Sequence, residues 1–175
     1  MIRLATVRDA PACLRIYAPV VEQTAISFEI EVPTVEEMER RIADTLLQFP
    51  WLVLEEPDGV QGYAYGGVHR KRPAYQWSVE VSVYVAEEAQ GRGVGRRLYT
   101  ALFDRLRRQG YVTAFAGIAL PNQASVGLHE AMGFVPIGVF RDIGFKLGRW
   151  VDVGWWQLPL QEPPSEPAAP LPPRP

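Results

Sequence analysis

Gln90-Gly91-Arg92-Gly93-Val94-Gly95-Arg96 joins a valine-rich run to a leucine-rich one. Glycines this closely spaced leave backbone N–H groups open and let a ligand approach the main chain. A helix beginning at Val94 would add the partial positive charge of its N-terminus, and Arg92, Arg96 and Arg97 would add full charges. The chemistry such a turn suits is the holding of a diphosphate. A Walker A loop requires Lys-Ser/Thr after its last glycine, and none follows here. A dinucleotide fingerprint requires a third glycine where Arg96 stands. The spacing present is QxxGxG.

Two further residues could move protons. Glu80 lies in Ser78-Val79-Glu80-Val81-Ser82-Val83, on the strand face opposite a valine stripe. A carboxylate there is either a solvated surface charge or a base set in a cleft, where desolvation would raise its proton affinity. His129 falls one helical turn after Ser125, so the two share a face. A neutral imidazole can take or pass a proton, and it can equally be an ordinary hydrogen-bonded helix residue. Arg72 offers a planar fork suited to a carboxylate or phosphinate, and otherwise reads as a solvated loop charge. Tyr75 beside it adds a hydroxyl and a ring.

These residues need elements to position them. Ile2–Ala5 reads as a short strand and Thr6–Asp9 as a helix start, with Ala12, Ile16 and Val20 on one stripe. Thr34 followed by Glu36 and Glu37 predicts an N-cap and a second helix to about Gln48. Trp51–Leu54 and Gln61–Val68 read as a hairpin around Pro57-Asp58-Gly59. Trp77–Val85 alternates as a strand, with Glu80, Ser82 and Tyr84 on one face. A helix over Val94–Gln109 ends at Gly110. Val112–Ile118 reads as a strand and Asn122–Met132 as a short helix closed by Gly133. Strands near Phe134–Phe140 and Trp150–Leu158 complete a mixed α/β sheet with helices on both faces.

The 175 residues suit one domain over residues 1–160. Residues 161–175, QEPPSEPAAPLPPRP, hold seven prolines and no aromatic residue, so they are expected to be extended or disordered. A net charge of −2 gives no basic face for nucleic acid. No apolar run approaches a membrane span, and the expected location is the cytoplasm. The single Cys13 cannot form an internal disulfide and reads as a core residue. Two histidines without a His/Cys cluster give no metal site.

The QxxGxG spacing resembles motif A of the GNAT N-acetyltransferases. Leu120-Pro121-Asn122-Gln123-Ala124-Ser125, followed by a helix ending in Gly133-Phe134, resembles their motif B. Further runs, PWLV at 50–53, AYQWSVEVSVYV at 74–85, LPNQASVGLHEAMGF at 120–134 and GFKLGRWVDVGWWQ at 144–157, look like the phosphinothricin acetyltransferase group, from about Ile2 to Leu158. Gly91-Arg92-Gly93 is more glycine-rich than in some members of that group. The resemblance implies a GNAT fold (α+β), with a mostly antiparallel central sheet and a splayed strand pair holding acetyl-CoA. It implies that Val83, Tyr84 and Val85 meet the pantetheine arm through their backbone, with the Val83 N–H as oxyanion donor. It implies that Gln90, Gly91, Arg92, Gly93, Val94, Gly95 and Arg96 grip the pyrophosphate, and that Asn122 and Ser125 contact the cofactor.

By the same resemblance Glu80 is the general base, directly or through a water, and His129 a second catalytic residue. Phe28, in a loop like the group's substrate wall, joins Arg72 and Tyr75 in selecting a small amino-acid-like substrate. A homodimer is implied, with the segment around Lys146 near the partner's site; Trp150, Trp155 and Trp156 read as core or interface. Two alternatives stand beside this reading. One is acetylation of protein N-termini or lysines; the other is a non-catalytic acetyl-CoA sensor, which would need the glycine cradle but neither Glu80 nor His129.

Overall fold

The computed structural model describes residues 1–174. Seven strands form one sheet in the order β1-β2-β3-β4-β5-β7-β6. They are β1 (Ile2–Leu4), β2 (Trp51–Glu56), β3 (Gly59–Val68), β4 (Ser78–Val85), β5 (Thr113–Leu120), β6 (Val135–Lys146) and β7 (Arg149–Pro159). The helices are α1 (Ala10–Gln23), α2 (Val35–Leu46), α3 (Val94–Gln109) and α4 (Gln123–Ala131). All strand pairs are antiparallel except β4 with β5, which α3 connects as a crossover.

Strand alternation sorts the core into two layers. On one face α1 and α2 bring Tyr17, Met38 and Ile42 onto Trp51, Tyr63 and Tyr84. The aromatics stack there, Trp51 on Tyr65 at 4.3 Å and Tyr63 on Tyr84 at 5.3 Å between centroids. On the other face α3 buries Leu98, Leu102 and Leu106 completely, four residues apart on one stripe. Each such leucine contributes about 1.5–3 kcal/mol by leaving water. Thr34 caps α2, its Oγ1 accepting from the Glu37 N–H at 3.2 Å. Cys13 is fully buried, and burial pushes its thiol up to about 12.

Several elements differ from the sequence expectation. The first helix is preceded by a 3-10 turn over Val7–Asp9, and it starts at Ala10. The β6 strand runs on to Lys146 through a bulge between Phe140 and Gly144, where Asp142 has φ 49°. That bulge breaks the period-two pattern and hides the second half of the strand. Leu147 and Gly148, both at positive φ, make the tight turn into β7. Of the three late tryptophans, Trp156 is buried and Trp150 lies exposed.

Residues 161–174 run without helix or strand, and they are seated on the domain. Ala168 O accepts from the Trp77 indole at 2.8 Å, and Leu171 exchanges two hydrogen bonds with Gln109. Prolines lose little entropy on being held extended, which suits a segment fastened mainly through carbonyls. Pro175 lies outside the described residues.

Candidate active site

The parallel β4–β5 ladder spans three pairs, Ser78 with Thr113, Val79 with Ala114 and Glu80 with Phe115. Past Glu80 and Phe115 the strands part. Residues 81–85 and 116–120 therefore face each other across an open V without a shared ladder. A cleft of about 470 Å³ opens from this V and is walled by Val83, Tyr84, Val85, Asn122, Ser125 and Leu128. Its floor is the turn Gln90–Arg96 at the N-terminus of α3. Clefts of this size hold a cofactor-sized molecule.

The turn is built as a cradle. Gly91 and Gly93 have φ of 73° and 76°, which L side chains rarely adopt. A Cβ at either would meet no atom within 4 Å, so the space above them is open to a ligand. Gly95 serves differently: a Cβ there would lie 2.9 Å from Leu128 Cδ2, so its hydrogen lets α3 and α4 close up. The first N–H groups of α3 point out of the helix end with its partial positive charge. Anionic groups fit this donor set.

The arginines divide. Arg96 lines the cleft, and among the described residues no carboxylate pairs with it. Arg92 and Arg97 turn to Glu56, at 3.0 and 3.4 Å. The Arg92 guanidinium, expected at the phosphates, pairs here with Glu56 at the end of β2, and its backbone lies at the turn. Tyr84 likewise offers its backbone and ring edge to the cleft, because its ring packs between Tyr17 and Tyr63. Asn122 caps α4, its Oδ1 accepting from the Ser125 N–H at 3.1 Å.

His129 is buried, and both ring nitrogens are engaged. Nδ1 lies 2.7 Å from the Ser125 carbonyl oxygen, so it must carry the proton. Nε2 then accepts from the Tyr99 hydroxyl at 2.9 Å. Desolvation holds the imidazole below its ordinary pKa, opposed by the Ser125 carbonyl. A depressed folded pKa means that the unfolded chain binds more protons just below about pH 6.5. This contribution to stability is complete above that pH and is lost as the pH falls through the window beneath it, by at most about 1.4 kcal/mol per pH unit. Urea midpoints followed from about pH 8 to pH 5 should show this slope, and His129→Gln should flatten it. An unchanged slope would remove His129 as its source.

Glu80 sits where the V begins, on the sheet face beyond the cover of α1 and α2. Its Oε1 lies 3.0 Å from His69 Nδ1 and 3.8 Å from an Arg70 guanidinium nitrogen. The His69 ring stacks on Phe115 at 4.2 Å and 9°. Trp155 and Tyr75 present their edges to it at 6.1 and 6.3 Å, and Arg70 stands 6.0 Å over the Trp155 ring. Tyr75 closes a 3-10 turn that begins after Arg72, and both side chains are exposed. It is Arg70 that reaches Glu80; Arg72 projects from the adjoining turn.

Phe28 packs against Gly144 of β6, where a Cβ would stand 2.3 Å from its ring. Its loop is tied down on both sides. Tyr17 bonds Ser27 at 2.7 Å, and Arg41 grips Glu29 at 2.7 Å. From β6 the buried Lys146 donates to the Val21 and Ser27 carbonyls at 2.6 and 2.7 Å. The Lys146 ammonium thus sits at the C-terminus of α1, where a cation suits the helix end.

His69, Trp155 and Tyr99 were not singled out as site residues. His69 was findable by alternation: Tyr63, Tyr65, Gly67 and His69 share a face, and Gly67 pairs with Glu80.

Comparison with known proteins agrees with this geometry. A family model described as an acetyltransferase (GNAT) domain matches residues 2–155. The chain is 40% identical over 171 residues to a phosphinothricin N-acetyltransferase of Streptomyces viridochromogenes, covering 97% of this chain and 93% of that one. It is 39% identical over 162 residues to an L-methionine sulfoximine/L-methionine sulfone acetyltransferase of Salmonella typhimurium, covering 92% and 95%. A crystal structure of a GNAT superfamily phosphinothricin acetyltransferase from Sinorhizobium meliloti, in complex with AcCoA, superposes with a TM-score of 0.91 at 33% identity, covering 96% and 92%. With its splayed strands, its glycine cradle and these relatives, the chain belongs to the GNAT acetyltransferase family.

Proposed function

We propose that the protein transfers an acetyl group from acetyl-CoA to the α-amino group of a small amino-acid analogue of the phosphinothricin, methionine sulfoximine or methionine sulfone class. The observation that carries this reading is Glu80 at the vertex of the V, between the cradle on one side and the Arg70–Arg72–Tyr75 turn on the other. Acetyl-CoA supplies the activated acyl group. Its diphosphate suits the N–H groups at Gly91–Gly95 and the Arg96 guanidinium, and its pantetheine arm suits the free backbone edge of Val83–Val85.

Glu80 takes the ammonium proton, directly or through a water: an N–H bond breaks and an O–H bond forms on the carboxylate. The freed amine pair then makes the C–N bond while the C–S bond breaks, and the nitrogen's remaining surplus proton passes to the departing thiolate, which leaves as the thiol. A backbone N–H at Val83 is suited to meeting the oxygen of the carbonyl under attack. Phe28, Arg72 and Tyr75 form the wall that selects the acceptor, with the arginine set for its acidic group. His129, with both nitrogens committed, holds the Tyr99 hydroxyl at the cleft rather than acting as a base.

The working form we infer is a homodimer. Val139, Phe140, Ile143, Phe145 and Trp150 are exposed apolar residues on the outermost strand and its hairpin, which suits a second copy. The free thiol of Cys13 suits a reducing cytoplasm. Among the described residues no helix is long and apolar enough to cross a membrane, and no group of three or more metal-ligating side chains occurs.

The reading is tested by following thiol release from acetyl-CoA with phosphinothricin, methionine sulfoximine, methionine sulfone and a lysine peptide. Saturable release with the amino-acid analogues is expected. Release with the peptide alone would replace the substrate class, and binding of acetyl-CoA without release to any acceptor would favour a sensor.

A further inference from the structure

Glu80 does not stand alone in its cleft, and what stands against it is unusual for a strand end. His69 follows β3, two residues beyond Gly67, the residue that pairs with Glu80. Its ring is clamped flat on Phe115 and edged by Trp155 and Tyr75, and its side chain is only 11% exposed. A ring held on three sides has little rotational freedom. Of its two nitrogens, Nδ1 is aimed at Glu80 Oε1 at 3.0 Å. A carboxylate only accepts, so Nδ1 donates. Among the described residues no side chain bonds Oε2, which is left as the oxygen that can take a proton.

We propose that His69 is the positioning residue of Glu80, its Nδ1–H fixing Oε1 so that Oε2 is held for the substrate ammonium. This rests on the reading of Glu80 as the base. A carboxylate that is 36% exposed on a strand has several rotamers open to it, and only a fixed one keeps a lone pair on the reacting nitrogen. The bond to the anionic oxygen is charge-assisted, and therefore stronger than an ordinary one.

Two substitutions separate orientation from packing. His69→Phe keeps the stack on Phe115 and deletes the donor. His69→Asn places an amide N–H near the position of Nδ1 and deletes the stack. With acetyl-CoA affinity as the check on folding, kcat for His69→Phe should fall about tenfold or more, while His69→Asn stays within about threefold of the parent at about pH 8. The reverse order, with Phe active and Asn impaired, would reduce His69 to packing and overturn the proposal. Glu80→Gln run alongside separates the two levels. If it retains the parent rate, the reading of Glu80 fails and this inference with it; if it is slow while the His69 variants match the parent, only the positioning role fails.

Discussion

Glu80→Gln is expected to lower kcat for the amino-acid acceptor by about 10²–10⁴-fold while leaving the acetyl-CoA dissociation constant unchanged. The substitution is close to isosteric. The amide oxygen can still accept from His69 Nδ1, so the packing against Phe115 and Trp155 is kept. What is lost is the ability to hold a proton at the vertex of the V. The cradle at Gly91–Gly95 lies at the far end of β4 and shares no side chain with Glu80. Binding and turnover should therefore separate cleanly. Steady-state kinetics with calorimetric titration of acetyl-CoA reads both, and an unchanged kcat would remove Glu80 from the chemistry.

A second large effect should come from a residue remote from the chemistry. Lys146→Met is expected to destabilise the fold by about 2–4 kcal/mol, lowering Tm by about 5–12 °C. The methionine replaces most of the stem, so little volume is lost. It leaves the carbonyls of Val21 and Ser27 buried without their donor, each costing about 1–3 kcal/mol. Relief of the desolvation that depresses the Lys146 pKa offsets part of this. The KM for the amino-acid acceptor should rise with it, because Lys146 bonds the residue next to Phe28. Thermal unfolding and acceptor KM check the two halves, and an unchanged Tm would show that those carbonyls find other donors.

How far the chain could be read in advance depended on whether a residue's partner is local. The valines of β4 and the leucines of α3 declare themselves through period, because each packs on a face that the pattern itself defines. The cradle was legible because its function lives in consecutive glycines. The pairing of Arg92 with Glu56 was not legible, because Glu56 sits at the end of another strand and nothing near the turn announces it. Half of β6 was missed because a bulge at Phe140–Gly144 shifts the phase of its alternation. His129 was recognised as a site neighbour, but its commitment to Tyr99 depends on a hydroxyl thirty residues away. His69 lies among Arg70, Lys71 and Arg72, and that run of charge masks the strand face to which it belongs.

The short parallel ladder also bears on how the molecule holds together. The sheet is two antiparallel blocks, β1 to β4 and β5-β7-β6, and only three residue pairs bridge them. Within each block neighbouring strands are joined over most of their length, so local openings of the native state should concentrate along the seam. A molecule lodged in the V would touch β4 on one side and α4 on the other, lending the sheet the cross-links that the strands themselves do not make. Occupancy and cohesion then become one equilibrium, and by mass action the folded population grows with the concentration of the molecule that fills the gap.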